Sequence, residues 1–272
     1  MMRPAIHLLS AMLACAAVPA GAAEPDKDEP GTVHINAIKN PELYTYRAVV
    51  AGLDKFEELH ALAPAVPELR FRVDARRGKP LGDQPLVARI AADDFSIPLA
   101  LDQDLRFSVP RSQAAYDARA ELILNRKKYD ARFDTWVRTP GLAENQFRMG
   151  DVRLDCQVKI AIAKEEIPFW ANALINGILL TTDWCSWFKG TTPKGGDRSW
   201  SREATAKLSA ATLRDGERSL GLKVSGKNFR LPIGDTSWSN DAIVELEFAP
   251  AEPMPPTELT AQATPAGKDA QP

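Results

Sequence analysis

The strongest constraint on folding is the alternation of apolar and polar side chains. Val152, Leu154, Cys156, Val158, Ile160 and Ile162 occupy every second position, with Arg153, Asp155, Gln157, Lys159 and Ala161 between them. A strand turns successive side chains to opposite faces, so this run predicts a half-buried strand with the Cys156 sulfur pointing inward. The same period recurs at 69–73, 105–109, 129–137, 204–208, 220–224 and 244–248, with shorter runs at 86–90, 95–99 and 229–231. Turn clusters separate these runs, as expected for antiparallel strands with one wet face. The expected fold class is mainly β (α+β): an antiparallel β-sandwich with an N-terminal amphipathic helix and a buried helical insertion.

The amphipathic helix is expected to open at Asn40-Pro41, where Asn caps and Pro suits the first helical position. Its apolar face is Leu43, Tyr46, Val50, Leu53, Phe56 and Leu59, and Pro64 and Pro67 end it. The helical insertion comes from Ile167 to Thr182, sixteen residues without a charge. At 1.5 Å per residue such a helix is about 24 Å long, short of a bilayer span. Burial in the core is the favoured reading, with a membrane-touching or partner-docking segment as the alternative. The organisation is then a leader and helix at 24–66, a β-sandwich domain at 67–162, a helix plus antiparallel strands at 163–249, and a Pro-rich disordered tail at 250–272.

Residues 1–23 carry an address. Arg3 precedes an uncharged, mostly apolar run from Ala5 to Val18, and Ala20-Gly21-Ala22 supplies the small residues of a cleavage site. That is the pattern of a secretory signal peptide, so a periplasmic or secreted location is expected. Met12-Leu13-Ala14-Cys15 also loosely resembles a bacterial lipobox, and lipidation at Cys15 would place the protein on a membrane. No transmembrane span is expected. Two cysteines follow the signal, and an even pair in an exported chain predicts a disulfide between Cys156 and Cys185.

Charge and composition narrow the partners. The formal balance is 34 − 36 = −2, with no long basic stripe, so nucleic acid is not an expected partner. A metal site is not expected either, because two distant cysteines and the lone His34 and His60 do not make ligand spacing. Asp93-Asp94 and Asp102-Gln103-Asp104 read as turns rather than calcium loops. No cofactor motif is present. A Ser-His-Asp site would need a positioned His and a nucleophile elbow, and neither is found, so no catalytic residue is assigned. Paired carboxylates of a hydrolase such as a glycosidase are the alternative, with Glu165, Glu166 and Asp183 as candidates. Trp170, Trp184, Trp187 and Trp200 cluster within 31 positions. Trp184, Trp187 and Trp200 lie in or beside a Gly/Thr/Pro loop, so they are the candidate ligand-binding residues. The competing reading packs them around the disulfide.

Arg76-Arg77-Gly78-Lys79-Pro80-Leu81, followed by residues 97–110 (IPLALDQDLRFSVP), resembles the strand–turn–strand pattern of carboxypeptidase-regulatory-like (transthyretin-like) β-sandwiches. In that pattern a G-K-P-L turn precedes a D-x-D-G-x-F hairpin, and Leu105 here stands in the place of the Gly. Residues 151–156 and 234–238 resemble uncharacterised exported proteins of Gram-negative bacteria. The resemblance implies an accessory or binding module and carries over no functional residue. The expected function is an exported, non-catalytic envelope protein whose partner is an envelope protein or a glycan.

Overall fold

The computed structural model describes residues 38–76, 79–191 and 196–250. The expected signal, Cys15, His34 and nearly all of the expected tail lie outside these residues. The fold is mainly β, with antiparallel sheets and four α-helices among the described residues.

The first core is enclosed by two sheets. Strand β1 (Pro41–Thr45) leads into helix α1 (Tyr46–Glu58). The expected helix start at Asn40-Pro41 is therefore a correction. Residues 41–45 pair as a strand, which suits Leu43, Tyr44 and Thr45, and Thr45 is the true cap, its Oγ1 accepting from Ala48 N at 3.3 Å. Strands β2 (Arg70–Ala75), β3 (Ala88–Ala91), β4 (Ser96–Leu99) and β5 (Arg106–Ser108) follow, then a short helix α2 (Gln113–Asp117), β6 (Glu121–Lys127) and β7 (Ala131–Trp136). They form sheets of order β1-β6-β3-β4 and β5-β2-β7. Phe71, Phe107 and Phe133 from one sheet meet Ile90, Leu122 and Leu124 from the other, with Tyr46, Val49 and Phe56 of α1.

The second core follows β8 (Gln146–Arg148). Helix α3 (Met149–Glu166), helix α4 (Phe169–Leu179) and a 3-10 turn at Trp184–Trp187 come next. Then come β9 (Gly190–Thr191), β10 (Asp197–Arg198), β11 (Trp200–Glu203), β12 (Leu208–Asp215), β13 (Arg218–Gly221), β14 (Val224–Ser225), β15 (Asn228–Leu231) and β16 (Ile243–Phe248). The main sheet here has order β13-β12-β16-β8, beside β11-β15-β14 and the pair β10-β9. Residues 204–207, expected to begin a strand, instead connect β11 to β12.

The run at 152–162 is the largest correction. It is not a strand but part of α3. On a helix, residues two apart lie about 200° apart, so a period of two splits into two opposed stripes, each with i, i+4 spacing. Leu154, Val158 and Ile162 face the first core, while Met149, Val152 and Cys156 face the second. A helix buried on both sides therefore imitates strand alternation. It also runs through the expected domain boundary at 162. Helix α1 lies tightly against α3: a Cβ at Gly52 would sit 2.8 Å from Ile162 Cγ1.

The expected buried insertion is also corrected. Ile167 is extended before Pro168, which breaks the helical path, and α4 then runs without a single buried residue. Among the described residues, no helix is long and apolar enough to cross a membrane.

Candidate functional site

A cleft of about 1150 Å³ opens where β2, β7, α3, β8 and β11 converge. The strand register explains its chemistry. Antiparallel pairing of β2 with β5 sets Arg72 directly opposite Arg106, and pairing of β2 with β7 brings Trp136 alongside. Two like charges opposed on one sheet face repel. The Trp136 ring relieves this: the Arg72 and Arg106 guanidinium carbons lie 4.5 and 4.3 Å from its centroid. Each arginine also pairs locally, Arg72 with Asp74 at 2.6 Å and Arg106 with Asp104 at 3.0 Å. A second such group lies beside it, with Arg138 and Arg202 at 5.1 and 5.0 Å from the Phe147 centroid. Guanidinium planes favour such ring contacts because they are weakly hydrated and delocalised.

Asp155 ties this wall together. It is fully buried on α3 and accepts from Thr135 Oγ1 at 2.5 Å. Lys159 Nζ and Arg202 Nη1 both reach it at 2.9 Å. Lys159 also pairs with Asp134 at 2.8 Å. Burial alone would depress the Lys159 pKa, but the Asp155 and Asp134 carboxylates outweigh it and the ammonium is held above its ordinary value.

Arg138 stands apart. It donates to the Leu142 and Ala143 carbonyls at 3.3 and 2.5 Å. Among the described residues, no carboxylate lies within ion-pair distance of it. Burial lowers its pKa, and the guanidiniums of Arg202 and Arg106 lower it further, against the attraction of Asp151. A guanidinium stays charged even so. The cleft lining holds eight Lys and Arg against six Asp and Glu, and the buried Asp155 and Glu42, which pair with the lining residues Lys159, Arg202 and Arg76, bring the two signs into balance. An anionic group entering the cleft would meet a half-buried guanidinium that, among the described residues, has no carboxylate within ion-pair distance.

The three expected tryptophans separate. Trp184 is buried, its Nε1 donating to Asn176 Oδ1 at 2.7 Å, with Lys164 Nζ over its ring at 5.1 Å. Trp187 is half-buried, edge-on to Phe188, with Arg198 over its ring at 5.0 Å. Trp200 is half-buried on β11 and lines the cleft. Phe188 joins Trp187 and Trp200, its ring edge-on to both at 5.5 and 5.0 Å, whereas Trp184 is buried rather than exposed. The disulfide joins Cys156 to Cys185 as expected, with S–S 2.03 Å.

Two of the three carboxylate candidates hold structural bonds, and the third, Glu165, is exposed. Glu166 Oε1 accepts from Thr45 N and Oγ1 at 2.9 and 2.8 Å, and Asp183 caps the 3-10 turn. Only Glu166 of the three lines the cleft. His60 binds the Val66 carbonyl at 2.7 Å. The arginines of the cleft were not singled out from sequence. One signal was present: Trp136 sits on the solvent phase of its strand, an unusual place for so large a ring.

Compared with protein-family models, with curated proteins and with solved structures, the chain matches none.

Proposed function

We propose that this protein is an exported, non-catalytic binding module of the cell envelope, and that its cleft holds an acidic glycan. The observation that carries this is Arg138, a half-buried guanidinium with no carboxylate within ion-pair distance among the described residues, set beside Arg106 and Arg202 in an open cleft. Guanidiniums bind carboxylate and phosphate groups in a bidentate fork, so an acidic sugar meets both the charge and the geometry on offer. Trp200 gives the wall an apolar face of the kind that packs against sugar rings. A disulfide fits an oxidising compartment, in line with the signal read at residues 1–23. The resemblance of residues 76–81 and 97–110 to transthyretin-like accessory domains accords with a binding role.

A hydrolase with paired carboxylates is less well supported, because Glu166 and Asp183 are committed to capping bonds. Titration calorimetry with a hexamer of galacturonate against maltohexaose tests the proposal. The acidic hexamer should bind and the neutral one should not, and added salt should weaken binding. Arg138→Gln should weaken it about tenfold or more, the worth of a charge-assisted hydrogen bond. Equal binding of the neutral hexamer, or an Arg138→Gln variant that binds as well, would sink the proposal.

A further inference from the structure

Helix α3 lies along the cleft and gives it two unlike ends. Near its start Asp151 accepts from Thr139 N and Oγ1 at 2.6 and 2.8 Å, next to Arg138 in the chain. Asp155 and Lys159 follow at one-turn spacing, bonded to Thr135 and Asp134. At its last residue, Glu166, Oε1 accepts from Thr45 N and Oγ1. Fifteen positions separate Asp151 from Glu166, about 22 Å along the axis.

The charges sort along this axis. At the Glu166 end, Glu42 pairs with Arg76 at 3.7 Å and Asp134 with Lys159 at 2.8 Å. Glu166 is left over. Among the described residues no Lys or Arg lies within ion-pair distance of it, and its second oxygen, Oε2, takes no hydrogen bond from them. Tyr44 registers the excess: burial pushes its hydroxyl pKa up to about 12, and the Glu42, Asp134 and Glu166 carboxylates push the same way against Arg76. At the other end the excess is cationic. Arg72, Arg106 and Arg202 pair with Asp74, Asp104 and Asp155, while Arg138 feels Asp151 and Glu144 only from beyond ion-pair distance. The α3 dipole has the same sense, positive at its start and negative at its end. Glu166 therefore sits where the helix disfavours an anion, which leaves its charge open to a cation.

We propose that the cleft takes a zwitterionic glycan, with a carboxylate at Arg138 and an unsubstituted amine at Glu166. This rests on the acidic-glycan reading above and narrows it. A glycan bearing carboxylates alone would carry them past Glu166 and the negative end of α3. An amino sugar meets the same place as a cation with three donors. An extended peptide could bear the same two charges, but it needs a free strand edge to pair with. On β7, beside α3, the outward Phe133 N–H donates to Glu42 Oε1 at 3.1 Å and the Phe133 carbonyl accepts from Tyr44 Oη at 3.4 Å. That position of the edge is already taken, whereas sugar hydroxyls need only side-chain partners.

The test is titration calorimetry on the full disulfide-bonded chain with a hexamer of alternating glucuronate and glucosamine. One form has free amines, and the other is the same hexamer N-acetylated. The free-amine form should bind about fivefold tighter, as expected of an ion pair partly screened by solvent. Glu166→Gln should remove that preference without weakening the N-acetylated hexamer or the galacturonate hexamer. The Gln Oε1 can still accept from Thr45, so Tm should hold. Equal binding of the two forms, or a preference that survives Glu166→Gln, would overturn the inference while galacturonate binding still supports the broader reading. Loss of affinity for every hexamer alike in Glu166→Gln would mark the residue as structural and overturn it too. So would tighter binding of a blocked hexapeptide with four glycines between Lys and Glu. If none of the acidic hexamers binds, the broader reading falls and this one with it.

Discussion

Replacing Asp155 by Ala removes a fully buried carboxylate that receives Thr135 Oγ1, Lys159 Nζ and Arg202 Nη1. The consequences for its partners differ. Lys159 keeps Asp134 at 2.8 Å, so its charge remains compensated. Arg202 loses the only carboxylate paired with it among the described residues, while its side chain is only 13% exposed, and it retains just the Phe147 ring. Removing one partner of a buried ion pair costs about 3–5 kcal/mol, mostly from the charge left behind. The retained Lys159–Asp134 pair puts this case at the lower end, about 3 kcal/mol. The double variant Asp155→Ala/Arg202→Met removes the stranded guanidinium and should recover about 1–2 kcal/mol relative to Asp155→Ala alone. Urea unfolding followed by tryptophan emission measures both, with equal m-values as the check that the same transition is compared. A loss below about 1 kcal/mol for Asp155→Ala, or a double variant destabilised by the full sum of the singles, would refute this reading of α3 as a charged wall between two cores.

Three further outcomes follow from the same structure. Reduction of Cys156–Cys185, 29 positions apart, should cost about 3.6 kcal/mol by loop entropy, seen as a fall in Tm of about 7–14 °C; an unchanged Tm contradicts it. Burial raises the Glu42 pKa above 4.5, despite the Phe133 amide and Arg76, so its contribution to stability is full below that pH and is lost as pH rises through the folded value. Glu42→Gln should therefore melt higher than the parent near neutral pH and lose that advantage in acid, and a pH-independent difference would count against it. Leu180 is 90% exposed and left-handed, so Leu180→Gly should stabilise the fold by about 0.5–1 kcal/mol in urea titration; any loss would contradict the strain argument.

Much of the architecture could be read from residue spacing, and the misreadings have physical causes. The strands carrying Phe71, Phe107, Phe133 and Val244 each keep one dry face, so their alternation is unambiguous. The cysteine pairing was legible because only two cysteines follow residue 23. Helix α3 was not, since Val152–Ile162 satisfies both a strand and a helix buried on two sides. The length of that run, eleven residues and beyond the usual strand, was the available discriminator. The exposure of α4 was illegible because apolar composition states a preference for burial without naming what supplies it. Leu105 shows a turn surviving an unfavourable residue. Its φ is 59°, and Asp102 Oδ1 holds the turn by accepting from Asp104 N and Arg106 N at 2.9 and 2.8 Å. The cleft arginines come together only through strand register and through α3, information that no local pattern contains.

The guanidiniums around Phe147 and Trp136 are proposed to receive an anionic ligand. The most direct measurement follows the arginine Nε–Hε resonances by NMR while the galacturonate hexamer is titrated in. Arg106, Arg138 and Arg202 should shift together, saturably, and Arg138→Gln should remove the response of the other two at the same ligand concentration. Shifts confined to arginines outside the cleft, or none at concentrations where calorimetry shows binding, would contradict it.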